Sequence, residues 1–277
     1  LLFFNDNRRE TMNKTSLGIL IGAAVLLAAC GGGGGDGPNV SLNENGGSQN
    51  QNGGSTNNGG SNNSGSQTQN RIAGNYYTAK IGGSVEANKA TPATNAVNVL
   101  KIGNQEIPLD FGGGISAGTF YVLNGNTTIN GKQGFAGAVS GDHVRSMKYG
   151  VIENGSGGKT VFAQGELTQN MPASGTAKFS GYHVYTDASG AIVTAADNGK
   201  SANFDVDFGK KTLTGKLASA ANTFNVSANI NGNSFKGTSS DKTVVQGNFF
   251  GSGAAEMGGT FRNDAKKITG AFGAAKQ

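Results

Sequence analysis

SANFDVDFGKKTLTGKL, Ser201 to Leu217, followed by FNVSANINGNSFKGT, Phe224 to Thr238, decides the fold. Phe204, Val206 and Phe208 alternate with Asp205 and Asp207, and Phe224, Val226, Ala228 and Ile230 repeat the pattern with polar residues between them. A period of two is the signature of a strand with one face buried and the other in water. Asp205 and Asp207 then lie on a solvated outer face, which explains them more simply than a pair of acid–base carboxylates. Gly209 to Lys211 and Asn231 to Asn233 supply tight turns between these strands.

Outward from this core the pattern continues. Eight or nine strands fit between Thr160 and Phe272, spaced as in an antiparallel barrel or sandwich. Upstream, NYYTAK, VNVLKI, GTFYVL, GFAGAV, KYGVI and TVFAQG have strand length, with turn signals at Asn124-Gly125, Asn130-Gly131 and Asn154-Gly155. No long amphipathic helix pattern occurs. The expected architecture is all-β: a β handle or sandwich over 71–158, with Tyr76 and Tyr77 packing it, then a C-terminal eight-stranded antiparallel β-barrel over 159–277.

Two patterns imitate catalytic motifs. GISAG, Gly114 to Gly118, has the spacing of a nucleophile elbow at Ser116, but a strand follows it where a helix is required. GSGGKT, Gly155 to Thr160, imitates a phosphate loop, yet Glu153 stands where the first glycine belongs, and a hairpin loop is expected. The two histidines, His143 and His183, lack the spacing of a metal pair, although a single haem ligand stays open. His183 is expected in the barrel wall. No catalytic residue, metal site or cofactor is nominated.

The N-terminal portion reads as export and anchoring. Leu1 to Thr11 lie upstream of Met12, which is taken as the start. Lys14 precedes an apolar stretch, Leu17 to Leu27, of secretory length and below the roughly 18 residues of a membrane span. Leu27-Ala28-Ala29-Cys30 resembles a bacterial lipobox, which places signal cleavage between Ala29 and Cys30 and a lipid on the Cys30 sulfur. The signal peptide is thus 12–29. With the single cysteine acylated, no disulfide is expected and the membrane is reached through the anchor. Gly31, in the place of a retention aspartate, points to the outer membrane. From Cys30 to Asn70 the chain is dominated by Gly, Asn, Ser and Gln, with Asp36 and Glu44 as its charges and no aromatic residue, too polar to offset its ordering entropy. It is expected to be a disordered tether with a root-mean-square reach of about 35 Å. The five glycines at 31–35 also suit a guanine tract prone to slippage.

The formal charge of +5 is mild and the lysines are dispersed, so nucleic acid is not an expected partner. The absence of tryptophan and the charges on the strands argue against a transmembrane barrel.

The quoted stretches, with VVQGNFFGSGAAEMGGTFRN (Val244 to Asn263) and the closing ITGAFGAAKQ, closely resemble the barrel of the transferrin-binding protein B family. The resemblance implies a surface lipoprotein of a Gram-negative bacterium, lipid-anchored in the outer membrane and facing outward. The family's binders include transferrin and lactoferrin receptors, haemoglobin-haptoglobin utilisation lipoproteins, haemophilins, factor H-binding protein and heparin-binding antigen. One handle and one barrel fall short of a two-lobed receptor, an arginine-rich heparin segment is missing, and a lipobox departs from the secreted haemophilins. Capture of haemoglobin or another host iron or haem carrier is therefore expected, with delivery to an outer-membrane TonB-dependent transporter and haem met only through the bound partner. Factor H binding and haem or solute binding are the alternatives. Contact is expected from loops: 141–150 with His143 and Arg145, 168–175 with Met171 and Pro172, and 186–200 with Ile192 and Val193. The last two residues are candidates as a loop tip, although a short strand is the favoured reading of them.

Overall fold

The structure, a computed structural model, describes residues 72–80, 89–91, 94–110, 119–129, 131–154, 158–196 and 199–277. Ala29, Cys30, the glycine-rich stretch and Ser116 lie outside the described residues. Every described element is a strand. The first eight are β1 (Ile72–Lys80), β2 (Lys89–Ala90), β3 (Val99–Ile102), β4 (Gln105–Pro108), β5 (Phe120–Ile129), β6 (Lys132–Ser140), β7 (Met147–Asn154) and β8 (Gly158–Glu166). Then come β9 (Thr176–Thr186), β10 (Ile192–Ala195), β11 (Ala202–Asp207), β12 (Thr212–Ala218), β13 (Thr223–Asn231), β14 (Ser234–Thr238), β15 (Val244–Phe250), β16 (Glu256–Asn263) and β17 (Ile268–Lys276).

β9 and β11 to β17 form an antiparallel barrel closed by pairing of β17 with β9, from Lys276 opposite Phe179 to Thr269 opposite Thr186. On β11 and β13 the alternation is the expected one, with Phe204, Val206, Phe224, Val226 and Ala228 buried and Asn203, Asp205, Asn225 and Ser227 exposed. The axis is filled by Phe179, Phe204, Phe224, Phe235, Phe249, Phe261 and Phe272, whose rings touch in tilted or edge contacts such as Phe204–Phe272 at 5.0 Å and Phe224–Phe261 at 5.1 Å. This is a packed core of the kind small barrels build. β10 lies on β9 beyond the end of β11, with Val193 opposite Tyr185, so Ile192 and Val193 form a short strand.

The handle is a six-stranded antiparallel sheet in the order β2-β1-β8-β7-β6-β5. Because β1 pairs with β8 from Ile72 opposite Glu166 to Lys80 opposite Gly158, the handle sheet runs through Glu166 instead of ending at residue 158. The hairpin between β7 and β8 replaces the imagined phosphate loop, and its Lys159 ammonium meets Glu153 Oε2 at 2.5 Å. Asn124-Gly125 is not a turn. It sits inside β5 at a register shift, where Gly125 at φ 81° supplies the left-handed step of a bulge. One face of the sheet is covered by the β3–β4 hairpin, whose Leu100 and Ile107 pack on Leu123, Phe135, Ile152 and Phe162. Gln164 clips that hairpin down by donating to Val97 O at 3.1 Å and Val99 O at 2.8 Å.

The other face packs on the barrel wall, and this explains β16 and β17. Their sequences, EMGGTFRN and ITGAFGAAK, do not alternate in polarity because almost every residue is buried. Inward positions carry Met257, Phe261 and Phe272, whereas the outward positions under β7 are small, Gly258 on β16 and Ala271 and Gly273 on β17. A Cβ on Gly258 would strike the methyl of Met147, and one on Gly273 would strike the ring of Tyr149. Met147 and Tyr149 on β7, with Tyr77, Phe120, Ala138, Val151 and Val161, thereby join Val184, Phe250 and Ala271 of the barrel in one cluster. Three side-chain amides add register: Asn75 on β1 donates to Asn248 Oδ1 at 3.1 Å and accepts from Gln246 Nε2 at 3.0 Å.

Replacing Gly258 by valine should force Met147 off the wall and lower stability by about 1–3 kcal/mol. Thermal unfolding measures it, and a midpoint equal to that of the unaltered chain would contradict this account of the seam.

Candidate partner-binding site

Where the handle meets one rim of the barrel, the loop between β6 and β7 (141–146) is fixed by a carboxylate from the other subdomain. Glu256, at the start of β16, is buried and accepts from the backbone N–H groups of Arg145 at 2.7 Å and Ser146 at 2.9 Å. Burial raises the Glu256 carboxyl above its ordinary value, and those two bonds with the Arg145 charge work against the rise. Ser146 O then accepts from Glu166 N, Glu166 O from Gly251 N, and Gly251 O from Thr168 Oγ1, each at 2.8 Å. Three chain segments, 145–146, 166–168 and the β15–β16 turn, are locked into one rim, and Arg145 projects from it exposed. Charge-assisted bonds to backbone donors hold such a loop better than neutral ones.

His143 is half-buried and turned toward the handle. Its Nε2 lies 2.8 Å from Tyr149 Oη, and its ring makes edge contacts with Phe120 at 6.0 Å, Tyr149 at 5.7 Å and Tyr182 at 5.1 Å. It pins the handle to β9. Burial first, then the Lys148 charge, lowers its pKa to about 4. Met171 and Pro172 are half-buried beside the same rim, with Met171 packed on the barrel core. Ile192 and Val193 are at the opposite rim, since they pair with the far end of β9; Val193 packs into the barrel core and Ile192 against the handle–barrel cluster. The structure thus brings His143, Arg145, Met171 and Pro172 toward one end and leaves Ile192 and Val193 at the other.

His183 is fully buried inside the barrel, stacked on Tyr185 at 5.8 Å with an interplanar angle of 16°. Ser201 Oγ donates to Ala195 O at 2.5 Å and lies 3.0 Å from His183 Nδ1, closing the ends of the segment between β10 and β11. Burial lowers the His183 pKa to about 4. Among the described residues, no group of three His, Cys, Asp or Glu side chains is placed to hold a metal ion.

Sequence reasoning missed Glu256, Tyr182 and the outward glycines of β16 and β17. A lone glutamate at the head of an otherwise uncharged EMGGT run was the available signal for the first.

Comparisons with known proteins fit this geometry. The family model for the C-lobe and N-lobe beta barrels of transferrin-binding protein B matches residues 171–276. An uncharacterised protein of Haemophilus influenzae is 30% identical over 299 aligned positions, covering 96% of this chain and all of that protein. Transferrin-binding protein B of Moraxella catarrhalis is 31% identical over 176 positions, covering 50% of this chain and 24% of that protein. Among solved structures, a transferrin-binding protein B mutant from Haemophilus parasuis superposes with a TM-score of 0.56 at 25% identity, covering 74% of this chain and 45% of that one. An intact two-lobed Ap-TbpB structure gives 0.55 at 27% identity, covering 74% and 46%. The chain therefore spans less than half the length of each transferrin-binding protein B that it matches here.

The two histidines set an acid response. Each titrates near 6.5 when unfolded and about 4 when folded. Between those values the unfolded chain takes up protons that the folded chain refuses, so stability falls as the pH drops from 6.5 to 4. The loss is on the order of 3 kcal/mol per ring at most. Glu256, whose folded value is raised, acts in the opposite sense and offsets part of it. Denaturant unfolding at steps across this window should show the slope, and His183→Phe should flatten it. An unchanged slope in that variant would remove His183 from the account.

Proposed function

Because this chain belongs to the transferrin-binding protein B-like family of β-barrel proteins, we propose that it is a surface lipoprotein that binds a host iron-carrier protein. Haemoglobin is the carrier expected first. The observation that carries the reading is the barrel itself, whose axis is filled with phenyl rings, whose wall is braced by the handle and one rim of which is tied to the handle loop through Glu256. A filled axis directs binding to the rims, where a rigid scaffold can offer loops to a large partner. It also weighs against the reading as a solute carrier with a ligand inside the barrel. Arg145, exposed on a loop pinned by Glu256, is a pre-ordered contact of the kind that binding surfaces favour. Binding rather than catalysis is the activity this family and fold support.

In this reading Cys30 carries the lipid, the anchor is in the outer membrane, and the captured carrier is handed to a TonB-dependent transporter. The Moraxella catarrhalis relative is a transferrin-binding protein by name, which makes transferrin the second carrier to consider.

Calorimetry on the whole chain against haemoglobin, transferrin, factor H and free haemin tests the proposal. Haemoglobin should bind with a dissociation constant around micromolar, since a few loop tips bury a small interface. Arg145→Ala should weaken it about 10-fold. Transferrin binding alone would select the second carrier, factor H binding alone would move the chain to complement evasion, and binding of none would overturn the proposal.

The anchor is tested separately. Wild-type cells labelled with a fatty-acid analogue should show a labelled protein in the membrane fraction, and Cys30→Ala should lose both label and fractionation. Retention of both would refute lipidation at this residue.

A further inference from the structure

The two edges of the handle sheet are built differently. β2 is two residues long and opens with Lys89, a short charged edge of the kind that discourages pairing. β5 is ten residues long, FYVLNGNTTI, and carries no charge. Its outer side has no strand partner among the described residues. It also carries Val122, at 56% exposure the one large apolar side chain that is exposed among the described residues. An uncharged edge of this length with an exposed valine is what natural sheets ordinarily avoid.

The phase of the ladder fixes what can add to it. Gly141 N donates to Thr119 O at 2.9 Å, which makes 119 and 141 a hydrogen-bonded pair. Alternation along the antiparallel ladder then turns the backbone groups of Tyr121 and Leu123 toward β6, and those of Phe120, Val122 and Asn124 outward. Beyond Asn124 the register shifts, and Asn124 Oδ1 accepts from Asn126 N at 3.1 Å, so the regular edge ends there.

We propose that this edge is a self-association surface, in which Phe120–Asn124 pairs antiparallel with the same segment of a second copy about a two-fold axis through Val122. In that register Val122 exchanges both backbone hydrogen bonds with Val122 of the second copy, and Phe120 does so with Asn124 of the second copy. Every outward backbone group of the segment finds a partner in phase. Tyr121 falls opposite Leu123 of the second copy on the same face, and the two exposed valines cover one another. A two-fold contact of this kind is isologous and closes as a dimer, and the bulge stops the ladder from lengthening. The absence of charge on β5 removes the like-charge repulsion that self-pairing would otherwise meet. The inference does not depend on which host protein is bound.

Sedimentation of the whole chain carrying Cys30→Ala, over a concentration series, should show a reversible dimer. Val122→Lys in that background should weaken the dimer at least about 10-fold, because a charge would then face its own copy. Its thermal midpoint should be unchanged, since the side chain is in solvent. Val122→Cys should cross-link to a covalent dimer under mild oxidation, whereas Asn126→Cys, past the bulge, should not. A monomer at all concentrations with no cross-link, or a dimer indifferent to Val122→Lys, would overturn the proposal. Amide protection of Phe120–Asn124 that arises only when haemoglobin or transferrin is added would assign the edge to a host partner and also overturn it.

Discussion

The structure depends on how closely a β-sheet can lie on the outside of a β-barrel. Two barrel strands, β16 and β17, and the second half of β9 are buried on both faces, one toward the rings on the axis and the other toward β7 and its neighbours. Two layers of large side chains there would push the sheet away and open the seam to water. Glycine and alanine on the outward positions let Met147 and Tyr149 reach the barrel backbone, so the apolar area of the handle is covered without a second layer. The remaining contacts follow from that approach. The Asn75–Asn248–Gln246 amides can meet only when β1 lies against β15, and Glu256 can reach the 145–146 N–H groups only when β7 begins beside β16.

That same approach divides what the chain's residues announce from what they conceal. β11 and β13 face water on one side, so their alternation is plain in Phe204-Asp205-Val206-Asp207 and in Phe224 to Ile230. β16 and β17 have no water side, and their period vanishes into small residues; only motif resemblance placed them in a barrel. The assignment of β8 was hidden for another reason. Its partners are β7, next to it in the chain, and β1, more than half of the described chain's handle away, and no local pattern encodes the second pairing. At Asn124-Gly125 the chemistry was read correctly and the geometry was not, because a glycine at positive φ serves a bulge as readily as a turn.

The candidate site was legible as loops more than as residues. The 141–150 and 168–175 segments do meet at one rim, but His143 turns inward to Tyr149 and Tyr182, and Met171 leans on the barrel core. Side chains that look like tips in a sequence are often those that fasten the loop. Arg145 is exposed because its backbone, not its side chain, satisfies the carboxylate beneath it. No pattern of residue spacing reports that distinction.

The direction of β1 has a mechanical meaning. The described chain enters the fold at Ile72, opposite Glu166, and β1 then runs its nine residues alongside β8 to Lys80 opposite Gly158. Tension applied at Ile72 along the strand loads these cross-strand bonds together, as a lap joint is loaded in shear. A hairpin pulled apart from its open end would instead lose its bonds one after another. A domain held by that strand would resist being drawn out of its own fold, and the same pull would pass from β8 through the seam to the barrel.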